Sequence, residues 1–329
     1  MVRVMWAITV PSPGGPDALT WAQVSDPAAR PGHVVVDVAA AGVNRADLLQ
    51  REGRYPPPPG APDVPGLECA GVISEVGTDV AGWRVGDRVC ALLGGGGYAQ
   101  RVAVPAGQLL TAPRSVELSK AAAFPEAACT VWSTVFDAGR LRSGESLLVH
   151  GGTSGIGTFA VQLANASDVR VFATAGSERK CARAVELGAE VAINYKDDDF
   201  ARVVRDLTHG RGVDVVLDVV GGPYLERNLE ALAPDGRLIV IATQGGRRGE
   251  LDFRTVMAKR ATIYAAGLRA RPAEQKAAIV AAVREHVWPL IEAGRITPVI
   301  EAEVPLRDAA RAHQILEEGQ HIGKVLLTV

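Results

Sequence analysis

Three regimes of hydrophobic and polar alternation divide the chain. Up to about residue 124, apolar runs are short and broken by Gly and Pro. The runs His33-Val34-Val35-Val36-Asp37-Val38 and Ala70-Gly71-Val72-Ile73-Ser74-Glu75-Val76 predict strands separated by turns. Tyr55-Pro56-Pro57-Pro58-Pro59-Gly60 predicts a stiff, extended loop, because each proline fixes its own φ. From about 125 to 266 the pattern changes to near-continuous Val/Ile/Leu runs alternating with helical periods. Strands are expected at 147–150, 169–174, 191–193, 213–219, 237–241 and 262–266. Helices are expected after the first strand, near 178–187, 198–207 and 223–232. Six such strands with crossover helices describe an α/β, doubly wound parallel sheet covered on both faces. Residues 267–329 predict a long amphipathic helix over 272–293 and a last strand, Lys324-Val325-Leu326-Leu327-Thr328-Val329. This tail is too short for a core of its own. It is expected to pack back on the first segment, giving a discontinuous domain, 1–124 with 267–329, beside a domain at 125–266.

Composition adds bounds rather than detail. A chain of 329 residues is long for one core. A net charge of −2 gives no electrostatic case for nucleic acid or an anionic membrane. Cys69, Cys90, Cys129 and Cys181 form no C-x-x-C pair and read as buried free thiols, which suits a reducing cytoplasm. Met1-Val2-Arg3-Val4-Met5-Trp6-Ala7 enters a strand-like pattern at once, with no basic stretch leading into an apolar one, so no signal peptide is expected. No run reaches the ~18 apolar residues of a membrane span.

The densest chemical signal is Leu147-Leu148-Val149-His150-Gly151-Gly152-Thr153-Ser154-Gly155-Ile156-Gly157. An apolar strand runs into a glycine turn and then an apolar helix. Glycines let backbone approach a pyrophosphate, and the helix N-terminus offers unpaired N–H groups to it. NAD sites usually place an acid at the end of the second strand to bind the ribose 2′-hydroxyl. Here Thr174 and Gly176 occupy that position, and Ser177 and Lys180 follow one helical turn apart. That arrangement favours a 2′-phosphate and hence NADPH. Glu178 offers the competing reading of a first-turn acid complementing the helix dipole. A short-chain dehydrogenase would need Tyr-x-x-x-Lys, and none of the tyrosines has Lys four residues later.

With these motifs the chain resembles the medium-chain dehydrogenase/reductase superfamily over nearly its whole length. The resemblance implies a β-rich GroES-like catalytic domain beside the Rossmann domain. Zinc-dependent members carry ligands in Gly-x-Cys and Gly-His-Glu segments. The matching segments here are Gly42-Val43-Asn44 and Gly66-Leu67-Glu68, so Val43 and Leu67 stand at ligand positions. Aliphatic side chains cannot bind zinc, and no metal is expected. The run Asn44 to Gly60, with Thr174-Ala175-Gly176-Ser177, Lys180 and Ile193-Asn194-Tyr195-Lys196, is similar to the p53-inducible subgroup of NADPH:quinone oxidoreductases. That resemblance implies Ser177, Lys180 and Tyr195 on the 2′-phosphate. It implies Gly221, Gly222, Ala242, Thr243, Gly267 and Leu268 along the ribose and nicotinamide, and Lys324 closing over the cofactor. Lys324 equally fits a solvated charge, and Tyr195 a sheet-end aromatic.

Quinones and enones accept hydride without a strong Lewis acid, because the product charge delocalises. The expected activity is therefore NADPH-dependent reduction of a quinone, with reduction of an enone or 2-alkenal as the alternative. A non-catalytic RNA-binding role is the remote one. Asn44 is a candidate amide donor to a carbonyl or ribose oxygen. Tyr55 is a candidate phenol donor or stacking ring, and Asp47, one turn after Asn44, could orient a neighbour. The alternatives are a helix cap, a ring packed on the prolines and a helix-surface acid. His150 beside the glycine turn reads as structural. The apolar sixth strand reads as an exposed edge needing a partner, and relatives often pair there, so a homodimer is expected.

Overall fold

A computed structural model describes residues 3–329; Met1 and Val2, the start of the expected first strand, lie outside the described residues. The chain forms two compact units, one of residues up to Cys129 with Leu268–Val329, the other Thr130–Gly267.

The first unit begins with the strands β1 (Val4–Thr9) and β2 (Thr20–Ser25), which pair with each other, while Ala7 of β1 also bridges to Ala99. The long β3 (His33–Val43) leads into helix α1 (Arg45–Arg51). Then follow β4 (Glu68–Val76), β5 (Arg88–Leu92), β6 (Arg101–Pro105) and β7 (Leu109–Thr111). The inward faces of these strands bury Val34, Val36, Ile73, Val89 and Val104 in one core. Helix α2 (Pro125–Val131) carries the chain across the boundary. The first unit therefore runs beyond 124, because the Glu126 N–H donates to the Glu68 carboxylate.

In the second unit, strands β8 (Ser146–Val149), β9 (Arg170–Ala175), β10 (Val191–Asn194), β11 (Val213–Asp218), β12 (Leu232–Val240) and β13 (Thr262–Ala265) form one sheet. Their order is β10-β9-β8-β11-β12-β13, and every pairing is parallel. The connections include α3 (Gly155–Ala166), α4 (Glu178–Glu186), α5 (Phe200–Leu207), α6 (Leu225–Ala231) and α7 (Phe253–Lys259). This is the doubly wound α/β arrangement. The order reverses at β8, and ligands of such sheets bind at that switch point, at the carboxyl ends of the strands.

The returning tail adds α8 (Ala273–His286), α9 (Trp288–Glu292), β14 (Ile300–Pro305), α10 (Ala309–Glu318) and β15 (Lys324–Thr328). The expected continuous helix over 272–293 is two helices. Pro289 in the first turn of α9 has no N–H to continue the ladder, and the break falls at Val287. Strand β15 pairs antiparallel with β3 and parallel with β14, completing a seven-stranded sheet with the strands of the first segment. No helix among the described residues is long and apolar enough to cross a membrane.

Candidate active site

In the first unit, sheet register assembles a buried polar cluster. Ala41 of β3 pairs with Cys69 of β4, and Val43 pairs with Val325 of β15. Asn44 just past β3, Glu68 at the start of β4 and Lys324 at the start of β15 are thereby adjacent. Glu68 is fully buried and Lys324 is 4% exposed, and their carboxylate and ammonium form an ion pair. The second Glu68 oxygen accepts the Glu126 N–H at 2.9 Å. A Cβ on Gly42 would stand 2.4 Å from Glu68 Oε1, so glycine in β3 is what lets the carboxylate in. Gly323, at φ +85°, lets the chain turn into β15 against the Val299 carbonyl.

Asn44 is also the residue that starts α1. Its backbone N–H donates to Asp47 Oδ2 at 2.8 Å, half of a capping box. Its amide nitrogen donates to Glu68 Oε1 at 2.8 Å and to the Gly42 carbonyl at 3.3 Å, and its Oδ1 accepts from Lys324 at 2.8 Å. The expected amide donation to a substrate or ribose is thus corrected: both amide hydrogens are engaged inside the cluster. Lys324 is not a solvated charge; its ammonium is held by Glu68 and Asn44.

Asp47 is not a surface acid. It is fully buried and accepts N–H groups of Asn44 and Gly66 (3.1 Å) and the Tyr98 hydroxyl (3.1 Å). Burial pushes its carboxyl up to about 6, and the two backbone donors, Lys324 and Tyr98 limit the rise. The chain continues from Tyr98 to His313 Nε2 at 3.1 Å, from His313 Nδ1 to Arg51 at 3.3 Å, and from Arg51 to Glu317 at 2.5 Å. Burial and the Arg51 charge lower His313 to about 3, so it is neutral.

Tyr55 is half-buried at the head of the proline run. The Arg269 guanidinium sits 5.4 Å from its ring centroid and donates to the Tyr55 carbonyl at 3.3 Å. Burial raises the phenol above its usual range, Glu126 adds to the rise and Arg269 opposes it. Glu126 is itself pushed up to about 8, by burial first and then by Glu68. Tyr98, His313, Glu68 and Glu126 were not among the expected site residues.

In the second unit, the glycine turn opens α3. Ser154 is its N-cap, with Oγ accepting the Gly157 N–H at 3.0 Å. Gly155 and Ile156 form the first positions of the helix, and Thr153 is buried just before it. A Cβ on Gly152 would lie 2.7 Å from the Ala173 Cβ, and one on Gly157 would lie 2.1 Å from the Gly151 carbonyl oxygen. The backbone is therefore packed too closely for side chains, which is the geometry a pyrophosphate turn requires. Thr174 departs from expectation: it is buried, and its hydroxyl meets His150 Nδ1 at 3.0 Å and the Gly151 N–H at 3.4 Å. Its hydroxyl braces the glycine turn. His150 is structural, with Nε2 on Asn228 Oδ1 at 2.7 Å, and burial lowers it to about 4.

Ser177 caps α4, accepting the Lys180 N–H at 3.4 Å. A Cβ on Gly176 would fall 2.6 Å from the Tyr195 hydroxyl, which places Tyr195 over the Gly176–Ser177 turn. Gly176, Ser177, Lys180 and Tyr195 thus gather beyond the ends of β9 and β10. Beyond β11 and β12, Gly221 and Gly222 are zipped to the next loop: the Gly222 N–H donates to the Gly246 carbonyl at 2.9 Å. Asp218, which spacing did not single out, fixes this turn by accepting the Val220 and Gly221 N–H groups at 2.6 and 3.1 Å. Ala242 and Thr243 follow β12, the first partly exposed and the second exposed, and Gly267 after β13 is exposed. Leu268 is buried and begins the return to the first unit. Among the described residues, no group of three or more His, Cys, Asp or Glu side chains is arranged to hold a metal ion.

Residues 30–114 match the alcohol dehydrogenase GroES-like domain family, and 155–283 match the zinc-binding dehydrogenase family. Quinone oxidoreductase of Rattus norvegicus is 32% identical over 99% of this chain and 98% of its own. A phenolphthiocerol/phthiocerol polyketide synthase of Mycobacterium tuberculosis is 31% identical over 99% of this chain, which spans only 15% of that protein. Among solved structures, an NAD-dependent alcohol dehydrogenase superposes with a TM-score of 0.88 at 32% identity, covering 99% of this chain and 100% of that one. Escherichia coli quinone oxidoreductase complexed with NADPH superposes at 0.85 and 27% identity, with the same coverage.

Proposed function

Because the chain belongs to the medium-chain dehydrogenase/reductase superfamily, in the branch of NADPH:quinone oxidoreductase-like proteins, we propose that it reduces quinones with NADPH. An oxidoreductase using a nicotinamide cofactor follows from the family; quinone and NADPH are the finer reading. The observation that carries it is the pair Val43 and Leu67 at the expected zinc-ligand positions. Both are buried, 2% and 1% exposed, and the neighbouring Glu68 is already neutralised by Lys324. With no ligands there for a Lewis acid, the substrate itself must spread the product charge, as a quinone does.

The glycine turn at Gly152-Thr153-Ser154-Gly155-Ile156-Gly157 would hold the pyrophosphate. Ser177, Lys180 and Tyr195 would hold the 2′-phosphate, and Gly221, Gly222, Ala242, Thr243, Gly267 and Leu268 would line the ribose and nicotinamide. When bound, NADPH supplies a hydride from nicotinamide C4. The Tyr55 phenol stays protonated through neutral pH and is the neutral donor for a developing oxyanion. Asn44, Asp47 and Lys324 act as positioning residues that fix the end of β3 and the start of α1.

The test is NADPH oxidation by a chelator-treated sample with a naphthoquinone or a medium-chain 2-enal. Turnover of the quinone supports the reading; turnover of the enal alone replaces it with alkenal reduction. Lys180→Ala is expected to weaken NADPH binding by about 1.5–3 kcal/mol while sparing NADH. An equal loss for both would refute the phosphate assignment. We also infer a homodimer through the edge strand β13, where Ile263 is 39% exposed and α7 exposes Phe253 and Met257. Light scattering at the mass of one chain would overturn that.

A further inference from the structure

Two buried cations of the first unit have no acid to pair with. Arg269 is 3% exposed and Lys276 is 8% exposed. Neither lies within ion-pair distance of a carboxylate among the described residues. Arg269 donates only to neutral acceptors: the Gly94 carbonyl at 2.8 Å, the Tyr55 carbonyl at 3.3 Å and Gln50 Oε1 at 2.7 Å. Lys276 Nζ donates to the Arg269 carbonyl at 3.1 Å. Burial lowers both groups; Arg269 feels the attraction of Asp47 first and then of Tyr55 and Glu126, while Lys276 feels that of Glu126 and the repulsion of Arg269. Glu126 is itself drawn toward its neutral form by burial and Glu68, so it does not balance two charges.

Both cations stand in the wall of a cavity of about 720 Å³, within the size range of small-molecule sites. Its other charged side chains are Arg30, Arg101 and Arg271, and no Asp or Glu lines it. Arg101 is spent on Asp26, Asp37 and Glu75. Pro58, Pro59, Pro62 and Val64 form much of the apolar wall, and Ser25, His33 and Gln108 are its uncharged polar members. The N-terminus of α8 also reaches the cavity through Pro272 and Ala273, and no side chain caps it. Lys276 sits in the first turn of that fourteen-residue helix, the end where the dipole disfavours a cation. The acid of that first turn, Glu274, is exposed and does not line the cavity; on the cavity side the uncapped N–H groups, the unfavourably placed lysine and an arginine without an ion pair share one unmet requirement, a negative charge.

We propose that this cavity binds an organic anion, a carboxylate or phosphate monoester on an apolar body, through Lys276, Arg269 and the N-terminus of α8. The anion is held by charge-assisted hydrogen bonds, and its body lies along the proline wall. Binding of such an anion is independent of the redox activity.

The experiment is isothermal titration of the intact protein, without nicotinamide cofactor and at low ionic strength, with 1-naphthoate, 1-naphthyl phosphate, uncharged 1-naphthol and inorganic phosphate. At least one naphthyl anion is expected to bind at least tenfold tighter than 1-naphthol and than inorganic phosphate; the tighter of the two identifies the head group. Lys276→Gln should remove most of that preference, and Lys276→Arg should retain it. Equal affinity for the anions and 1-naphthol, or no heat with any of them, overturns the proposal. So does a preference that survives in Lys276→Gln. Should that variant fail to fold, the wild-type comparison decides alone.

Discussion

Lys324→Met tests whether the buried cluster is a true ion pair. The substitution keeps the aliphatic length of the side chain and removes the ammonium. Glu68, fully buried, is left with the Asn44 amide and the Glu126 N–H as its donors, both neutral. Asn44 Oδ1 loses its partner at 2.8 Å. Removing one member of a buried pair costs about 3–5 kcal/mol, because the other charge stays behind uncompensated. A domain's whole stability is about 5–15 kcal/mol, so the effect should be plain. Replacing both partners, as Glu68→Gln with Lys324→Met, removes the stranded charge. With the Asn44 amide turned over so that Oδ1 faces position 68, the introduced amide can accept from the Glu126 N–H and donate to Asn44, so the pair of changes should cost about 1–3 kcal/mol. The measurement is urea unfolding of the four proteins of the double-mutant cycle, followed by tryptophan fluorescence and by circular dichroism so that separate transitions of the two units are seen. The double variant should be more stable than Lys324→Met alone. A single-variant loss under about 1 kcal/mol, or a double variant less stable than the single, would refute the buried-pair reasoning.

Other consequences can be measured on the same samples. Tyr98→Phe removes the donor to Asp47 and the acceptor of His313, and should cost about 1–3 kcal/mol in urea unfolding; an unchanged midpoint would contradict it. Asp47 titrates near 6 in the fold and near 3.9 when unfolded, so the folded state binds the extra proton between those values. Its contribution therefore favours folding as pH falls from about 6 to 4 and is lost as pH rises through 6. Asp47→Asn should flatten that window by about 3 kcal/mol, and an unaltered pH profile would be the opposing result. Gly176→Ala should displace Tyr195 and weaken NADPH binding relative to NADH, by fluorescence titration, because the new Cβ would stand 2.6 Å from the Tyr195 hydroxyl.

Periodicity carried the architecture well. The six apolar runs between 147 and 266 are the six strands of the parallel sheet, since a sheet covered on both faces demands continuous apolar strands. It overran the helix at 272–293 because hydrophobic period alone does not weigh Pro289. The glycine turn was legible because its glycines answer a local requirement, backbone packed against Ala173 and Gly151. Thr174 was misread for the opposite reason: its partner, His150, lies 24 positions away and sits on another strand end. The polar cluster was the least legible. Asp47 meets Tyr98 across 51 positions, and Tyr98 meets His313 across 215. Register brings these together, and no spacing encodes it. Two local signals were available: Asp47 and Arg51 share one helix face at i, i+4, and Gly42 interrupts a mostly apolar strand beside Asn44.

The direction of the hydrogen bonds decides what that cluster can do. Arg51 has only donors, so His313 Nδ1 must accept from it. The neutral imidazole then carries its proton on Nε2 and donates it to the Tyr98 oxygen. Tyr98 is left to donate to Asp47 Oδ2, which also accepts the Asn44 N–H. Every donor from Arg51 to Asp47 therefore points the same way, ending on the carboxyl group that starts α1. Reversing the chain would require a proton from arginine, which it does not release. The arrangement is fixed rather than conducting. It holds Asp47, hence Asn44 and the close of β3, in one geometry, whatever proton the reduced substrate takes up from elsewhere.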